Sequence, residues 1–170
     1  MAHFVRLLVV LVMCAPCLRL AQGAERLVDT LTTYALQERT AVADGLERDI
    51  LAVIESSANE DRFDLYRTYN QLMGTWVQVD FSQTLVEQVV AATSPSEEEK
   101  IRTTLRDQAQ FALWDLDEAL AYVERNGPIA NRQEYLRINE ALRSLFSETK
   151  TIIGRLLADQ CDYLQCATVP

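Results

Sequence analysis

The chain carries one histidine, His3, at its extreme N-terminus, and 25 Asp and Glu residues against 16 Lys and Arg. Loss of the N-terminal segment would leave no imidazole, which removes Ser-His-Asp and Cys-His catalysis, axial histidine ligation of haem and the Glu-x-x-His di-iron pattern. Pairs of carboxylates could perform general acid and base work, but 25 acidic side chains on long helices supply such pairs by chance. No glycine loop that cradles phosphate and no zinc ligand set is present. Asp115-Leu-Asp117-Glu118 lacks the glycine of a calcium loop and lies within a helical pattern. No catalytic residue, metal site or cofactor is therefore expected.

Cysteine offers more. Cys161-Asp-Tyr-Leu-Gln-Cys166 is an even pair near the C-terminus, read as a disulfide in an exported chain. Residues five apart on a regular helix have Cα atoms roughly 8 to 9 Å apart, whereas a disulfide needs less than about 7 Å, so the bond requires the helix to end near Cys161. Redox catalysis is disfavoured, since Cys-x-x-Cys spacing and a βαβ context are both missing. Free thiols and pairing between chains stay as alternatives.

The residues that most need a role are aromatic. Phe111, Trp114, Glu118, Tyr122 and Arg125 follow three- and four-residue steps off the main apolar face of their helix, and Phe63, Tyr66, Tyr69 and Trp76 make the preceding helix aromatic too. Ordinary packing in a broad core explains them most simply. Tyr66, Tyr69, Trp76, Phe111, Trp114 and Tyr122 are otherwise the candidates for a partner surface or a small-ligand pocket. Arg67, beside Tyr66 and Tyr69, would suit an anionic ligand. Gly45, Gly74 and Gly154 sit inside helical patterns at a cost of about 1 kcal/mol each relative to Ala, which points to close helix approach, or to room for something, at those places.

Four periodic runs position these side chains. Leu27, Leu31, Ala35, Val42, Leu46, Ile50 and Val53 define the first face; Phe63, Tyr66, Tyr69, Met73, Trp76, Leu85 and Val89 define the second. Alternation through Trp76-Val-Gln-Val-Asp-Phe81, with Asp80 and Gln83 spaced as a cap, predicts a kink or break near residues 78 to 82. Ser94, Pro95 and Glu97 form a helix start, and Glu98 and Glu99 add charge that favours the dipole by about 0.3 to 1 kcal/mol each. The third stripe is Ile101, Leu105, Ala109, Ala112, Leu116, Leu120 and Val123, stopped by Asn126-Gly127-Pro128. Asn131 with Glu134 opens the fourth, through Tyr135, Ile138, Leu142, Leu145, Thr149, Ile152 and Leu156. Helices of about 30 residues, each roughly 40 to 45 Å long, joined by short connections, predict an all-α, antiparallel up-down-up-down four-helix bundle. A parallel or spectrin-like array is the alternative.

The first 23 residues read as a secretory signal. Arg6 precedes an apolar stretch from Leu7 to Leu18, too short for the roughly 20 residues of a membrane span, and Ala21 and Gly23 favour cleavage after Gly23. An uncleaved anchor and a lipidated Cys14 or Cys17 are weaker readings, because Met13 and Pro16 stand where a lipoprotein signal wants small residues. Residues 24–170 then form one helical-bundle domain. Loss of Arg6 and Arg19 leaves 14 basic against 25 acidic side chains, a net charge of −11, so nucleic acid is not an expected partner, and no stable membrane span remains. The expectation is an exported, acidic binding or interaction module, in the bacterial periplasm by preference and secreted otherwise, that is not an enzyme and whose partner is open between another protein and a second copy of the chain. A self-associating structural bundle is the alternative; a small-ligand-binding or enzymatic domain is a more distant one.

Overall fold

A computed structural model describes residues 2–125 and 133–165, with side chains from Leu27 onward apart from Asn59 and Glu60. Four long helices account for almost all of it: α1 (Ala2–Ser56), α2 (Asn59–Ala91), α3 (Pro95–Arg125) and α4 (Gln133–Tyr163). Helices α1 and α3 each pack on α2 and α4, so the four close into a ring. The links from α1 to α2 and from α2 to α3 are two and three residues long, which forces antiparallel neighbours. The expected up-down-up-down bundle is the observed one. The α3–α4 link, with the expected stop at Asn126-Gly127-Pro128 and the cap at Asn131, lies outside the described residues, as do the side chains of the expected signal segment 1–23. Among the residues searched, no helix is long and apolar enough to cross a membrane.

The buried faces follow a seven-residue rhythm that differs from the predicted stripe at two places. The buried positions of α1 are Asp29, Leu36, Ala43 and Ile50, in steps of seven that continue to Ser57 just past its end, with Leu46 and Ile54 between them. Leu27, Leu31 and Val42, expected inside, are exposed. The true stripe passes through polar Asp29 and Ser57, which an apolar count overlooks. On α2 the rhythm is Leu65, Leu72, Val79 and Val86, flanked by Trp76, Leu85 and Val89, whereas Phe63 and Tyr66 face solvent.

That rhythm also removes the expected break. Helix α2 is continuous through residues 78 to 82, because buried Val79 is a heptad position of one helix, and Val77 and Phe81 on either side of it are exposed. Ser82 and Thr84 donate their hydroxyls to the carbonyls of Gln78 and Asp80 at 3.0 Å each, a bond available only within an unbroken turn. Asp80 is no cap; its carboxylate accepts from Thr40 of α1 at 3.4 Å.

Helix ends are tied by side chains. Arg62 donates to the carbonyls of Ser57 (3.2 Å) and Glu55 (3.3 Å), which closes the C-terminus of α1, and the Ser57 hydroxyl lies 3.2 Å from that of Tyr135 on α4. The N-cap of α2 is Ala58, with no side-chain bond. At α3 the predicted start is present: the Glu97 amide donates to Ser94 Oγ at 3.3 Å. The Glu97 carboxylate accepts from the amide and hydroxyl of Thr93, one residue before the cap, at 3.1 and 3.0 Å. The predicted faces of α3 and α4 are largely buried, with Ala119, Phe146 and Ile153 added and Ile101, Leu120 and Ile152 only half-buried.

The glycines do not mark close approach. A methyl group built on Gly45 or Gly74 meets nothing within 4 Å, and one on Gly154 meets only Leu113 at 4.0 Å. Gly45→Ala and Gly74→Ala are each expected to stabilise the bundle by about 0.8 to 1 kcal/mol, read from urea unfolding. The two amide and hydroxyl bonds from Thr93 hold the Glu97 carboxyl below its usual value of 4.5. A depressed carboxylate contributes stability above its unfolded pKa and loses it as pH falls through the folded one. Glu97→Gln should therefore lower the urea midpoint at neutral pH, with the gap to wild type closing at acid pH.

Candidate functional site

The six aromatic candidates separate into three groups. Trp76 belongs to the core at 4% exposure, its indole donating to Thr40 Oγ1 at 3.3 Å. Tyr69 and Tyr122 are half-buried and turned to opposite neighbours: the Tyr69 hydroxyl donates to Glu47 of α1 at 3.1 Å, and that of Tyr122 lies 3.4 Å from Thr68 Oγ1 of α2. Bonding to the Glu47 carboxylate raises the Tyr69 hydroxyl above its ordinary value, helped by burial. Tyr66, Phe111 and Trp114 are exposed, the last two at 63% and 64%. Arg67 does not join Tyr66 and Tyr69 around an anion; its guanidinium lies 5.7 Å from the ring centre of Tyr122, on the α3 side. No single pocket gathers the six. Phe111 and Trp114, three residues apart on α3, remain as a surface pair, with Asp107 and Glu118 exposed beside them.

The α1–α2 seam holds a second polar group. Asp80, Asp44 and Glu47 border a small cavity against Trp76 and Met73. Burial pushes the Asp80 carboxyl up, the bond from Thr40 opposes this, and the charge of Asp44 adds to it. Between α1 and α4 lies an open depression of about 620 Å³, with Leu46, Val53, Ile138 and Ala141 on its floor and Asp49, Glu134, Arg137 and Glu140 around it.

The most constrained chemistry lies at the end of the bundle where α1 enters and α4 finishes. Arg102, in the second turn of α3, is 2% exposed. Its Nε donates to Glu98 at 2.9 Å, Nη1 to Gln160 Oε1 at 3.0 Å and Nη2 to Asp29 at 2.8 Å, and its guanidinium stacks 4.4 Å from the ring centre of Tyr163. Three helices thus meet on one cation. Desolvation works against its charge, and the bonds and charges of Asp29 and Glu98 outweigh it, so the guanidinium is held more firmly protonated than usual.

The same arrangement leaves one group unpaired. Arginine only donates, so the Gln160 oxygen must face Arg102, which fixes the amide orientation. Its Nε2 is then buried without a hydrogen-bond partner. Gln160 lines a cavity of about 300 Å³ together with Val28, Asp29, Arg102, Asp159, Asp162 and Tyr163. Burial and the charges of Asp29 and Asp162 push the Asp159 carboxyl up. Among the described residues no cluster of three His, Cys, Asp or Glu side chains converges to hold a metal.

This centre escaped the reading of the sequence because polar residues were set aside from the apolar stripes. The signal was present in the spacing: Asp29 is seven residues before Leu36, Arg102 three before Leu105, and Gln160 four after Leu156, all in register with core positions.

The fold defines the chain as an all-α four-helix bundle protein. Comparison with models of known protein families, with curated proteins and with solved structures finds no match.

Arg102→Met leaves the Asp29 carboxylate, 4% exposed, without its cation and is expected to cost about 3 to 5 kcal/mol. Asp29→Leu should cost less, because Glu98 still pairs with the guanidinium. The double variant should recover most of the loss, a non-additivity that urea unfolding of the four proteins would measure.

Proposed function

We propose that this chain is an exported, acidic four-helix bundle that works by binding a protein partner rather than by catalysis. The observation that carries this reading is the pair Phe111 and Trp114, two large aromatic side chains 63% and 64% exposed in the middle of α3. Lone exposed apolar residues are ordinary, but an adjacent aromatic pair on a regular helix is the kind of feature that anchors interfaces. Exposed Asp107 and Glu118 lie near the pair, and the full chain has a formal charge of −9. A partner face that is apolar at its centre and basic at its rim complements both. Self-association through a Trp114 and Tyr122 seam is the second reading, and the inward turn of Tyr122 toward Thr68 weakens it.

Export, with cleavage after Gly23 and the bacterial periplasm as the favoured destination, belongs to the same proposal and rests on the order of Arg6, the apolar stretch and Ala21 and Gly23. So does the Cys161–Cys166 disulfide. Cys166 lies outside the described residues, but α4 ends at Tyr163 and the chain turns at Gln165, whose φ is 50°, which is the helix end that such a bond needs. The denaturing mass of the exported protein should show loss of residues 1–23 and a deficit of about two mass units for the bond.

The interface is tested with the double variant Phe111→Glu and Trp114→Glu beside wild type, each isolated from the native export compartment after mild cross-linking. A protein attached to wild type and absent from the variant, with helicity equal in the two, is the expected result. Attachment that is equal in both, or missing from both, overturns the reading. A dimer of the chain itself that becomes a monomer in the variant moves the conclusion to self-association.

A further inference from the structure

We propose that the cavity beside Arg102 is a binding site for a small primary ammonium compound that also carries a neutral hydrogen-bond acceptor, as an amino alcohol or the amino end of a peptide does. The inference is independent of the α3 surface and rests on three features of one place.

Charge comes first. Among the described residues at this place Asp29, Glu98, Asp159 and Asp162 stand against one cation, Arg102, whose three bonds to Glu98, Gln160 and Asp29 occupy its nitrogens. Among the described residues Asp159 and Asp162 have no ion-pair partner. The balance of these described groups is negative, which repels an anion and attracts an ammonium. Asp159 is partly desolvated at the cavity, where attraction to a cation is screened less than in open water.

Hydrogen bonding comes second. Gln160 is 1% exposed, lines the cavity, and holds a buried N–H donor with no acceptor. Such a group costs about 1 to 3 kcal/mol unless something accepts from it. Its oxygen is bound to Arg102, so the donor is free to be satisfied by an acceptor that enters the cavity, a ligand atom in place of water, without breaking that bond. A metal ion does not fit, since the unpaired atom is a donor and no ligand cluster converges among the described residues. A purely apolar ligand leaves the donor as it is.

Size and spacing come third. A cavity of about 300 Å³ is at the small end of ligand pockets and admits a compact molecule. Asp159 and Gln160 line the same cavity, so a ligand that meets both carries its charge and its acceptor in one small molecule. The ring of Tyr163, held by Arg102 at 4.4 Å, supplies an apolar wall.

The test uses the purified exported protein, titrated with glycinamide, ethanolamine, ethylamine and N-acetylglycinamide while calorimetry reads affinity and the side-chain amide resonance of Gln160 reads the acceptor. Saturable binding of glycinamide or ethanolamine is expected, with a shift of that resonance. Ethylamine, which lacks the acceptor, should bind at least tenfold more weakly, and N-acetylglycinamide, which lacks the charge, not at all. Asp159 and Asp162 are exposed, so the double variant Asp159→Asn and Asp162→Asn should keep its helicity and lose affinity tenfold or more. Tighter binding of glycinamide identifies a peptide amino end as the natural ligand, and tighter binding of ethanolamine a free amino alcohol. Absence of saturation by every compound, equal affinity for ethylamine, or unchanged affinity in the double variant overturns the proposal.

Discussion

A guanidinium withdrawn from water must keep its partners within hydrogen-bond reach, and that requirement governs one end of this bundle. Arg102 takes Glu98 from its own helix, Asp29 from α1 and Gln160 from α4. Apolar contacts alone tolerate sliding of one helix past another, since leucine meets leucine at many offsets. A fork of N–H donors does not, and a displacement of one turn, about 5.4 Å, would strand Asp29 without its cation and leave Arg102 only Glu98 of its own helix. Such a pair does little for net stability relative to well-packed apolar residues, and its established use elsewhere is to select register. Here Asp29 of the α1 heptad and Gln160 of the α4 stripe are set against Arg102 of α3 at the same level.

Polar links at other levels serve the same end. Gln108 of α3 donates to the side chain and backbone carbonyl of Gln78 on α2 at 2.8 and 3.2 Å, and Trp76 of α2 reaches Thr40 of α1. Tyr135 of α4 meets Ser57 where α1 ends. Between them the core is filled by Leu, Ile, Val and Ala, with Trp76, Tyr135 and Phe146 as its aromatic members. Ion pairs across the outer surface, Arg39 with Glu148 and Lys150 with Asp117, join helices too but are partly exposed and contribute little.

The two candidate functional regions differ in kind. The α3 aromatic pair is a feature of surface, left uncovered by the described residues of the chain. The Arg102 cavity is a feature of imperfect satisfaction: a network built to hold one cation leaves a buried amide N–H without an acceptor, beside acidic side chains. Most buried polar groups in folded proteins are paired, and the Gln160 N–H at this cavity wall is an exception.

The sequence alone determined four helices, their antiparallel order and the start of α3, because helical periodicity, short links and the Ser94, Pro95 and Glu97 signal are local properties of the chain. It did not determine which face of α1 turns inward. Leu27 and Leu31 are apolar and exposed, whereas Asp29 is charged and buried, and only the presence of Arg102, 73 residues away, reverses their ordinary preferences. The same holds for α2, where alternation around Val79 resembles a break until the heptad through Leu65, Leu72 and Val86 is packed. The six aromatic candidates were legible as unusual, but their fates were not: Trp76 went to the core, Tyr69 and Tyr122 to opposite seams, Tyr66, Phe111 and Trp114 to solvent. Period and capping are written along the chain; rotation about each helix axis, and therefore burial, pairing and cavity, is chosen by partners that meet only in three dimensions.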